Sequence, residues 1–191
     1  MNVIFLDFDG VISTHHDIYD EKLNRVPEEI YRKNVDSRIK ILGEICTEND
    51  AKVVIESSYK DRIDEETLET DLDWIQFILD TMKKYGIDMI GRTPELSSFK
   101  EDYDGIHQIW KEDEILEYLR RHPEIDSYCV IDDDDRKAMH MKSDLDKIRN
   151  HLVETKDYLE NPEEEGLQEY HKEEVKKILQ KKIEKTNIKL R

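Results

Sequence analysis

Short apolar runs alternate with segments of helical periodicity along most of this chain. The runs carry little polar alternation, which is typical of strands buried on both faces of a parallel sheet. The predicted strands are residues 3–6, 52–56, 87–90 and 128–131, with an edge strand at 151–153. The predicted helices are residues 36–48, 72–85, 111–121 and 169–183, and Asp36 or Ser37 would cap the first of them. Strands that alternate with helices predict an α/β fold, a Rossmann-like three-layer sandwich around a central parallel sheet.

Two connecting segments and the C-terminal end lack this alternation. Residues 11–34 are polar and contain Pro27, which predicts a loop or flap over the end of the first strand. A loop around Pro94 joins the third strand to the third helix. We therefore assign residues 1–153 to one core domain and residues 154–191 to an acidic loop and an amphipathic helix. The apolar stripe of that helix packs on the core or at a dimer interface, and the pattern leaves both open.

The composition fits a folded domain with an acidic surface. The chain has 191 residues, a length that suits one domain with a sizeable core. Its formal net charge of −17 argues against tight, non-specific binding of nucleic acid, which relies on Lys and Arg that neutralise phosphates. Cys46 and Cys129 lie in helical or apolar segments and predict core thiols rather than a disulfide. No basic leader and no membrane-length apolar stretch is visible, so we predict a cytoplasmic protein.

Acidic or hydroxyl side chains follow three of the predicted strands. They are Asp7 and Asp9 after the first strand, Ser57 and Ser58 after the second, and Asp132 and Asp133 after the fourth. Because the carboxyl ends of parallel strands meet at one edge of a sheet, these side chains can converge. Carboxylates from two strands form an oxygen-rich site suited to Mg²⁺ rather than Zn²⁺. A strand-end hydroxyl can bind a phosphoryl oxygen, and Lys111 at the start of the third helix could supply positive charge.

The same residues have simpler interpretations. A calcium loop lies between two helices and needs a Glu at its twelfth position, but a strand precedes Asp7 and Ile18 occupies that position. A run of four aspartates usually forms a solvated turn, although its place directly after a buried strand favours a functional role. Ser57 could simply cap the end of the strand, and Lys111 could be a solvated lysine at a helix start, so both alternatives stay open.

The segment Asp7-Phe8-Asp9-Gly10-Val11 resembles motif I of the haloacid dehalogenase (HAD) superfamily of phosphohydrolases, and the likeness extends over roughly the first 150 residues. The resemblance implies that Asp7 is the nucleophile, which forms an aspartyl-phosphate. It implies that Asp9 is the general acid and then the general base, and that its backbone carbonyl binds Mg²⁺. An Asp at this second position points to a phosphatase or phosphotransferase within the superfamily. Gly10, in the sharp turn that follows, is assigned to substrate binding.

Two further segments resemble motifs II and III of the same superfamily. Val53-Val54-Ile55-Glu56-Ser57 resembles motif II, which places Ser57 on a phosphoryl oxygen as a catalytic residue. Ser58 is the alternative and is assigned to substrate binding. Lys111-Glu112-Asp113-Glu114-Ile115 resembles the start of the motif III helix, in which the lysine steadies the nucleophile and the phosphate. Lys100 and Lys137 are its rivals.

The segment Cys129-Val130-Ile131-Asp132-Asp133 resembles motif IV, the acidic pair of the metal site. By that likeness Asp132 and Asp133 complete the Mg²⁺ site with Asp7 and Asp9. The next two residues of the chain are also aspartates, so the choice of pair stays open.

Several segments are similar to a subgroup that includes the phosphatase-like domain of Swiss Army Knife RNA repair proteins. Tyr59 and Lys60 replace a Trp-Arg pair that is usual in that subgroup. The short connecting segments imply a HAD-like fold without a large cap domain and with an open site. The partner implied is a phosphorylated substrate, either a small molecule such as a nucleotide or a nucleic-acid end, and no membrane.

The predicted function is Mg²⁺-dependent hydrolysis of phosphomonoesters. A phosphotransferase is one alternative. A non-catalytic binding or scaffold protein is another, against which the intact Asp7 and Asp9 argue. A receiver-like regulator would carry its acidic pair after the first strand and its phospho-acceptor on a later strand, which is the opposite order.

Overall fold

A parallel sheet forms the centre of the protein. The computed structural model describes residues 1–20, 22–96, 111–133, 148–159 and 161–183, and the backbone of 99–102 and 105–108. In these ranges the parallel strands are β1 (Asn2–Leu6), β2 (Ala51–Ile55), β3 (Met89–Arg92), β6 (Ser127–Asp132) and β7 (Leu152–Glu154), and an antiparallel pair consists of β4 (Phe99–Asp102) and β5 (Gly105–Gln108). The order across the parallel sheet is β3-β2-β1-β6-β7. The predicted parallel sheet and its edge strand near residue 152 are therefore confirmed.

Helices cover both faces of the sheet. They are α1 (His15–Ile18), α2 (Glu28–Asn49), α3 (Asp73–Lys84), α4 (Lys111–Arg121) and α5 (His171–Leu179), with short 3₁₀ turns at Lys60–Arg62 and Pro162–Glu164. The apolar residues of α2, α3 and α5 belong to one core cluster, and those of α4 belong to a second cluster. Among the described residues, no helix has the length and apolar character needed to cross a membrane.

The central strand β1 supplies both core clusters. Ile4 and Leu6 pack with the first cluster, whereas Val3 and Phe5 pack with the second, and all four side chains are fully buried. Successive side chains of a strand point to opposite faces, so a strand covered by helices on both sides needs apolar residues at every position. This arrangement confirms the three-layer α/β sandwich that the uninterrupted apolar run predicts.

Helix α2 begins at Glu28 rather than at the predicted Asp36. The irregular part of the predicted 11–34 flap therefore ends at Pro27, which is the N-cap residue of the helix. Proline and acidic residues at a helix start are favourable, because the first turn has free N–H groups and a positive dipole end. The first two turns are mostly exposed, so they lack the apolar periodicity on which the prediction depended. The prediction of Asp36 or Ser37 as the cap was therefore wrong, because both lie inside α2. The Asp36 carboxylate instead accepts a hydrogen bond from Tyr85 Oη at 2.7 Å.

The loop predicted around Pro94 contains the hairpin of β4 and β5, so the prediction of an irregular loop was wrong there. Each of these strands, FKED and GIHQ, contains only one large apolar residue, so no apolar run or alternation marks them in the sequence.

The C-terminal segment is joined to the base of the flap. The amide of Leu167, a fully buried core residue, donates to the carbonyl of Val11 at 2.9 Å. Gly166 has a positive φ of 69°, and a Cβ there would lie 2.7 Å from the same carbonyl oxygen, so only glycine allows this approach. Helix α5 packs on the first core cluster through Val175, Ile178 and Leu179. Residues 166–179 and the base of the flap thus form one structural unit.

Candidate active site

The strand order brings Asp7 and Asp132 side by side. Strands β1 and β6 are hydrogen-bonded neighbours with Leu6 opposite Ile131. Asp7 follows β1 directly, and its backbone N–H donates to the carbonyl of Ile131 at 3.1 Å. The chain winds to one side of β1 through β2 and β3 and to the other side through β6 and β7. Such a switch point at the carboxyl ends of the strands is where open α/β sheets bind ligands.

The ammonium group of Lys111 lies between these two carboxylates. Its Nζ is 2.7 Å from Asp7 Oδ2 and 2.9 Å from Asp132 Oδ2. Lys111 is the first residue of α4, as the motif III interpretation expects. Its side chain is 25% exposed, while those of Asp7 and Asp132 are 7% and 1% exposed. The rival lysines, Lys100 and Lys137, have side chains outside the described residues.

Asp133 adds a third carboxylate to this centre. Ligand oxygens of Asp7, Asp132 and Asp133 all lie within 4.8 Å of one another. Carboxylate oxygens are hard ligands, and this number and spacing suit a small divalent cation such as Mg²⁺. The Asp9 side chain lies outside this group, in keeping with a contribution through its backbone carbonyl. Asp134 and Asp135, the other two members of the acidic run, lie outside the described residues.

Asp9 lies next to the cluster and is partly exposed. Burial raises the pKa of its carboxyl, and the negative charge of Asp7 raises the pKa further, while the ammonium of Lys111 opposes both. A carboxyl with a raised pKa is held closer to its protonated form, which a general acid requires.

A family model for the HAD domain in Swiss Army Knife RNA repair proteins matches residues 3–184. The chain belongs to this family. The match includes the C-terminal helix as well as the four motif segments, and it confirms the resemblance to the HAD superfamily. Membership indicates a phosphatase-type function. No curated protein and no solved structure matches the chain.

Gly10 of the HAD domain allows motif I to approach motif IV. Its φ is +64°, and a Cβ at this position would lie 2.2 Å from Cγ of Asp133. Any other residue would displace the Asp133 carboxylate and strain the backbone. The predicted substrate-binding role of Gly10 stays a prediction, but its need for glycine has this separate cause.

Ser57 and Ser58 follow β2, the strand next to β1. Ser57 is fully buried, and its Oγ accepts a long hydrogen bond of 3.4 Å from the amide of Tyr59. Ser58 is exposed. The two hydroxyls thus differ in exposure, since that of Ser57 is buried at the end of β2 and Ser58 lies at the surface.

Thr155 is hydrogen-bonded to both the motif I segment and the motif IV segment, here called the two acidic loops. The sequence analysis did not single it out. Its backbone N–H donates to the carbonyl of Asp132, and its Oγ1 donates to the carbonyl of Gly10, both at 2.9 Å. Thr155 is 1% exposed and follows β7 directly. A polar residue after a parallel strand is the signal that singled out the other three strand ends, so the same rule could have found it. Asp157, two residues on, adds a negative charge that raises the pKa of Asp9 slightly.

A second lysine–carboxylate cluster lies just past the carboxyl end of the HAD domain's strand β2. Lys60 Nζ is 3.2 Å from Glu56 Oε1 and also contacts Glu114. The Thr93 hydroxyl donates to Glu56, and the Leu96 amide donates to Glu114 at 2.9 Å. Burial raises the pKa of Glu56 to about 7, against the opposing charge of Lys60. Lys60 is therefore committed to a buried structural cluster.

Proposed function

We propose that this HAD domain is a Mg²⁺-dependent phosphatase that hydrolyses phosphomonoesters through an aspartyl-phosphate on Asp7. The observation that carries the proposal is the position of Lys111 Nζ, 2.7 Å from Asp7 and 2.9 Å from Asp132, at the strand-order switch. A lysine in that place can neutralise a nucleophilic carboxylate and an incoming phosphate at once. Family membership supports the same reaction class.

In the first step an Asp7 carboxylate oxygen attacks phosphorus, and the bond between phosphorus and the leaving oxygen breaks. Asp9 donates its proton to that leaving oxygen, so the departing group leaves as a neutral alcohol. Phosphoryl transfer depends mainly on positioning and on charge neutralisation. Lys111 provides the charge, and Ser57 or Ser58 provides a hydroxyl for a phosphoryl oxygen.

In the second step water hydrolyses the aspartyl-phosphate. Asp9, now a carboxylate, accepts a proton from the water while the water oxygen attacks phosphorus. The bond between phosphorus and Asp7 breaks, inorganic phosphate leaves, and both carboxyl groups return to their starting states. Covalent catalysis of this kind replaces one difficult displacement by two easier ones.

The residues present fit a divalent cation. Three carboxylates, from the ends of the neighbouring strands β1 and β6, supply oxygen ligands within 4.8 Å of one another. Asp7, the backbone carbonyl of Asp9 and the motif IV aspartates, Asp132 and Asp133, would hold the ion. When bound, Mg²⁺ would offset the repulsion between Asp7 and the anionic substrate.

The proposed substrates are nucleotides or nucleic-acid ends. The family takes its name from RNA repair proteins, which supports this class. The formal net charge of −17 opposes broad contact with a nucleic-acid backbone, so recognition would be confined to the terminal nucleotide.

The test is phosphate release from a panel of monophosphates, measured with Mg²⁺ and with EDTA. The panel contains an aryl phosphate, nucleotides, sugar phosphates and 3′- or 5′-phosphorylated oligonucleotides. We expect Mg²⁺-dependent release that falls to background in Asp7→Asn and is unchanged in Glu48→Gln. Glu48 is an exposed residue in the last turn of α2, before the amino end of β2, whereas the site lies at the carboxyl ends of the strands. Turnover retained in a folded Asp7→Asn protein would remove the proposed nucleophile. Silence across the panel with Mg²⁺ binding intact would favour a scaffold role.

A further inference from the structure

A cavity of about 530 Å³ opens beside Asp9. This volume lies within the range of sites for small molecules and cofactors. The wall comes from the flap, the first turns of α2, the segment after β2 and the start of α3. Its partly buried aromatic side chains are Tyr19, Tyr31, Tyr59, Trp74 and Phe77.

Most of these rings are fixed in place by the core. Tyr31, Tyr59, Trp74 and Phe77 all pack against the first core cluster. Tyr59 and Trp74 form an edge-to-face pair with ring centroids 4.9 Å apart and an interplanar angle of 89°. Aromatic rings that are held in this way can contact a planar ligand with little further loss of conformational entropy.

The flap side of the cavity also has a defined shape. The Asp20 carboxylate accepts hydrogen bonds from the amides of Lys22 and Asn24, both at 2.8 Å, and an antiparallel bridge joins Tyr19 to Arg25. The Arg25 guanidinium lies 5.7 Å from the centre of the Tyr19 ring. These contacts fix one aromatic ring and one positive charge at the wall.

The cavity is continuous with the proposed reaction centre. Asp9 is part of its wall. The charge of Asp9 is the largest cause that raises the pKa of the Tyr59 phenol, and the charge of Asp7 contributes, so that phenol is within electrostatic reach of both carboxylates. In the proposed reaction Asp9 protonates the leaving oxygen. A group that fills the cavity is therefore on the leaving-group side of phosphorus.

We infer that the cavity binds the base of a phosphorylated nucleoside, and that Tyr59 and Trp74 select a leaving group that carries this planar ring. This inference rests on the proposed function. Aromatic side chains stack with bases of every type. Asp73 and Arg25 also line the cavity, and their carboxylate and guanidinium groups can form hydrogen bonds with the polar edge of a base. A plain phenol ring, such as that of a phosphotyrosine peptide, presents no donor or acceptor on its ring edge to these groups, whereas every base does, which favours a base.

The sharpest substrate comparison is a nucleoside 5′-monophosphate against ribose 5-phosphate, because the two share one leaving oxygen and differ by the base. We expect kcat/KM for the nucleotide to exceed that for ribose 5-phosphate by about tenfold or more, chiefly through a lower KM. A ratio near one would overturn the inference. A phosphotyrosine peptide that is hydrolysed faster than every nucleotide would overturn it as well.

The matched variants are Trp74→Leu, Trp74→Phe and Tyr170→Leu. Trp74→Leu should raise KM for the nucleotide about tenfold more than KM for ribose 5-phosphate, because the stacking contact with the base is lost. Trp74→Phe keeps a ring and should restore most of the difference. Tyr170 is 63% exposed and does not line the cavity, so Tyr170→Leu should change neither substrate. An equal loss on both substrates in Trp74→Leu would indicate a structural role and contradict the inference. Tyr59→Leu, scored by the same ratio, keeps the test open if Trp74→Leu fails to fold.

A binding measurement separates this inference from the proposed function. Calorimetric titration of Asp7→Asn with a nucleoside 5′-monophosphate requires no turnover, and the heat should be lost in the Asp7→Asn, Trp74→Leu double variant. Binding without hydrolysis of any monophosphate would contradict the proposed function and support the base site. Hydrolysis of ribose 5-phosphate with no preference for nucleotides would support the proposed function and contradict the base site. A phosphorylated oligonucleotide that exceeds the mononucleotide would identify a nucleic-acid end as the source of the base, and the opposite order would identify a free nucleotide.

Discussion

The HAD domain holds two lysine–carboxylate clusters that are close together and built from the same residue types. Lys111 is shared by Asp7 and Asp132, and Lys60 is shared by Glu56 and Glu114. The Lys60 side chain is 8% exposed, whereas that of Lys111 is 25% exposed. Both clusters follow from polar residues near the carboxyl ends of parallel strands. Among the residues that the structure describes, only the Lys111 cluster includes a third carboxylate, that of Asp133, at the carboxyl edge of the sheet.

The difference between the clusters lies in how their charge is satisfied. At Lys60, a hydroxyl and a backbone amide complete the hydrogen bonding of the two glutamates, and the raised pKa of Glu56 lets that group exist as a neutral acid. Such a cluster has no need of a ligand. At Lys111, three carboxylates converge near a partly exposed ammonium, which favours a cation and an anionic substrate. Residue types alone do not separate these outcomes, because burial and hydrogen-bond partners decide them.

Removal of each lysine gives the largest contrast between the clusters. Lys60→Met should lower the free energy of unfolding by roughly 3–5 kcal/mol, because it leaves two buried carboxyl groups without their counter-charge. Lys111→Met, measured with Mg²⁺ present so that a bound cation supplies counter-charge to Asp7 and Asp132, should change stability less. It should lower kcat by roughly 100-fold or more, because it removes charge stabilisation of the transferred phosphoryl group. Urea unfolding and steady-state kinetics on both proteins provide the comparison. Equal losses of stability would mean that the Lys111 cluster is also structural.

The pH dependence of stability should identify Glu56. Its pKa is about 7 in the folded protein against 4.5 in the unfolded chain. Between these values the native state binds more protons, so the contribution of Glu56 to stability falls as pH rises from about 4.5 to about 7. The full effect is of order 3 kcal/mol.

Urea unfolding of wild type and Glu56→Gln at pH 5 and pH 8 measures this contribution. The variant should lose less stability than wild type between the two pH values, and Glu48→Gln should behave as wild type. A pH response of Glu56→Gln equal to that of wild type would place the pKa of Glu56 near its ordinary value.

The metal affinity should respond to the Lys111 cluster alone. Asp133→Asn should weaken Mg²⁺ binding by at least about tenfold, because a neutral amide oxygen replaces a charged ligand. Calorimetric titration with Mg²⁺ measures the change. Asp80→Asn, which removes an exposed carboxylate of α3, is the matched control and should bind as wild type. An unchanged affinity in Asp133→Asn would transfer the motif IV role to another residue of the acidic run.

The sequence pattern predicts the fold well where burial is uniform. Val3 to Leu6 are apolar at every position because helices cover both faces of β1, and this makes the central strand easy to recognise. Helix α4 has the predicted limits, Lys111–Arg121. The first turns of α2 and the hairpin of β4 and β5 escaped prediction. The exposed start of α2 has no buried stripe, and each hairpin strand has only one large apolar residue.

The candidate site shows the same division. Asp7, Lys111, Asp132 and Asp133 are brought together because each lies at a strand end or a helix start that the pattern already located. The aromatic cavity could not be predicted, because its wall joins residues from four separate segments whose spacing only the tertiary structure fixes. Thr155 was missed for a different reason. The predicted edge strand ends at Val153, two residues before Thr155, and the acidic composition that follows indicated a solvated loop.

Thr155 gives the smallest and most specific test of the Lys111 cluster. Thr155→Val keeps the shape of the side chain and the amide bond to Asp132 but removes the hydroxyl that donates to Gly10 at 2.9 Å. Loss of one buried hydrogen bond should lower stability by about 1 kcal/mol. If Thr155 also positions motif I, kcat should fall several-fold with little change in KM, and Thr155→Ser should restore it.

Thr47→Val removes a similar hydroxyl-to-carbonyl bond of 2.8 Å within α2, away from the site, and should leave kcat unchanged. A loss of stability in Thr155→Val with normal kcat would show that Thr155 holds the fold together without aligning the two acidic loops for chemistry.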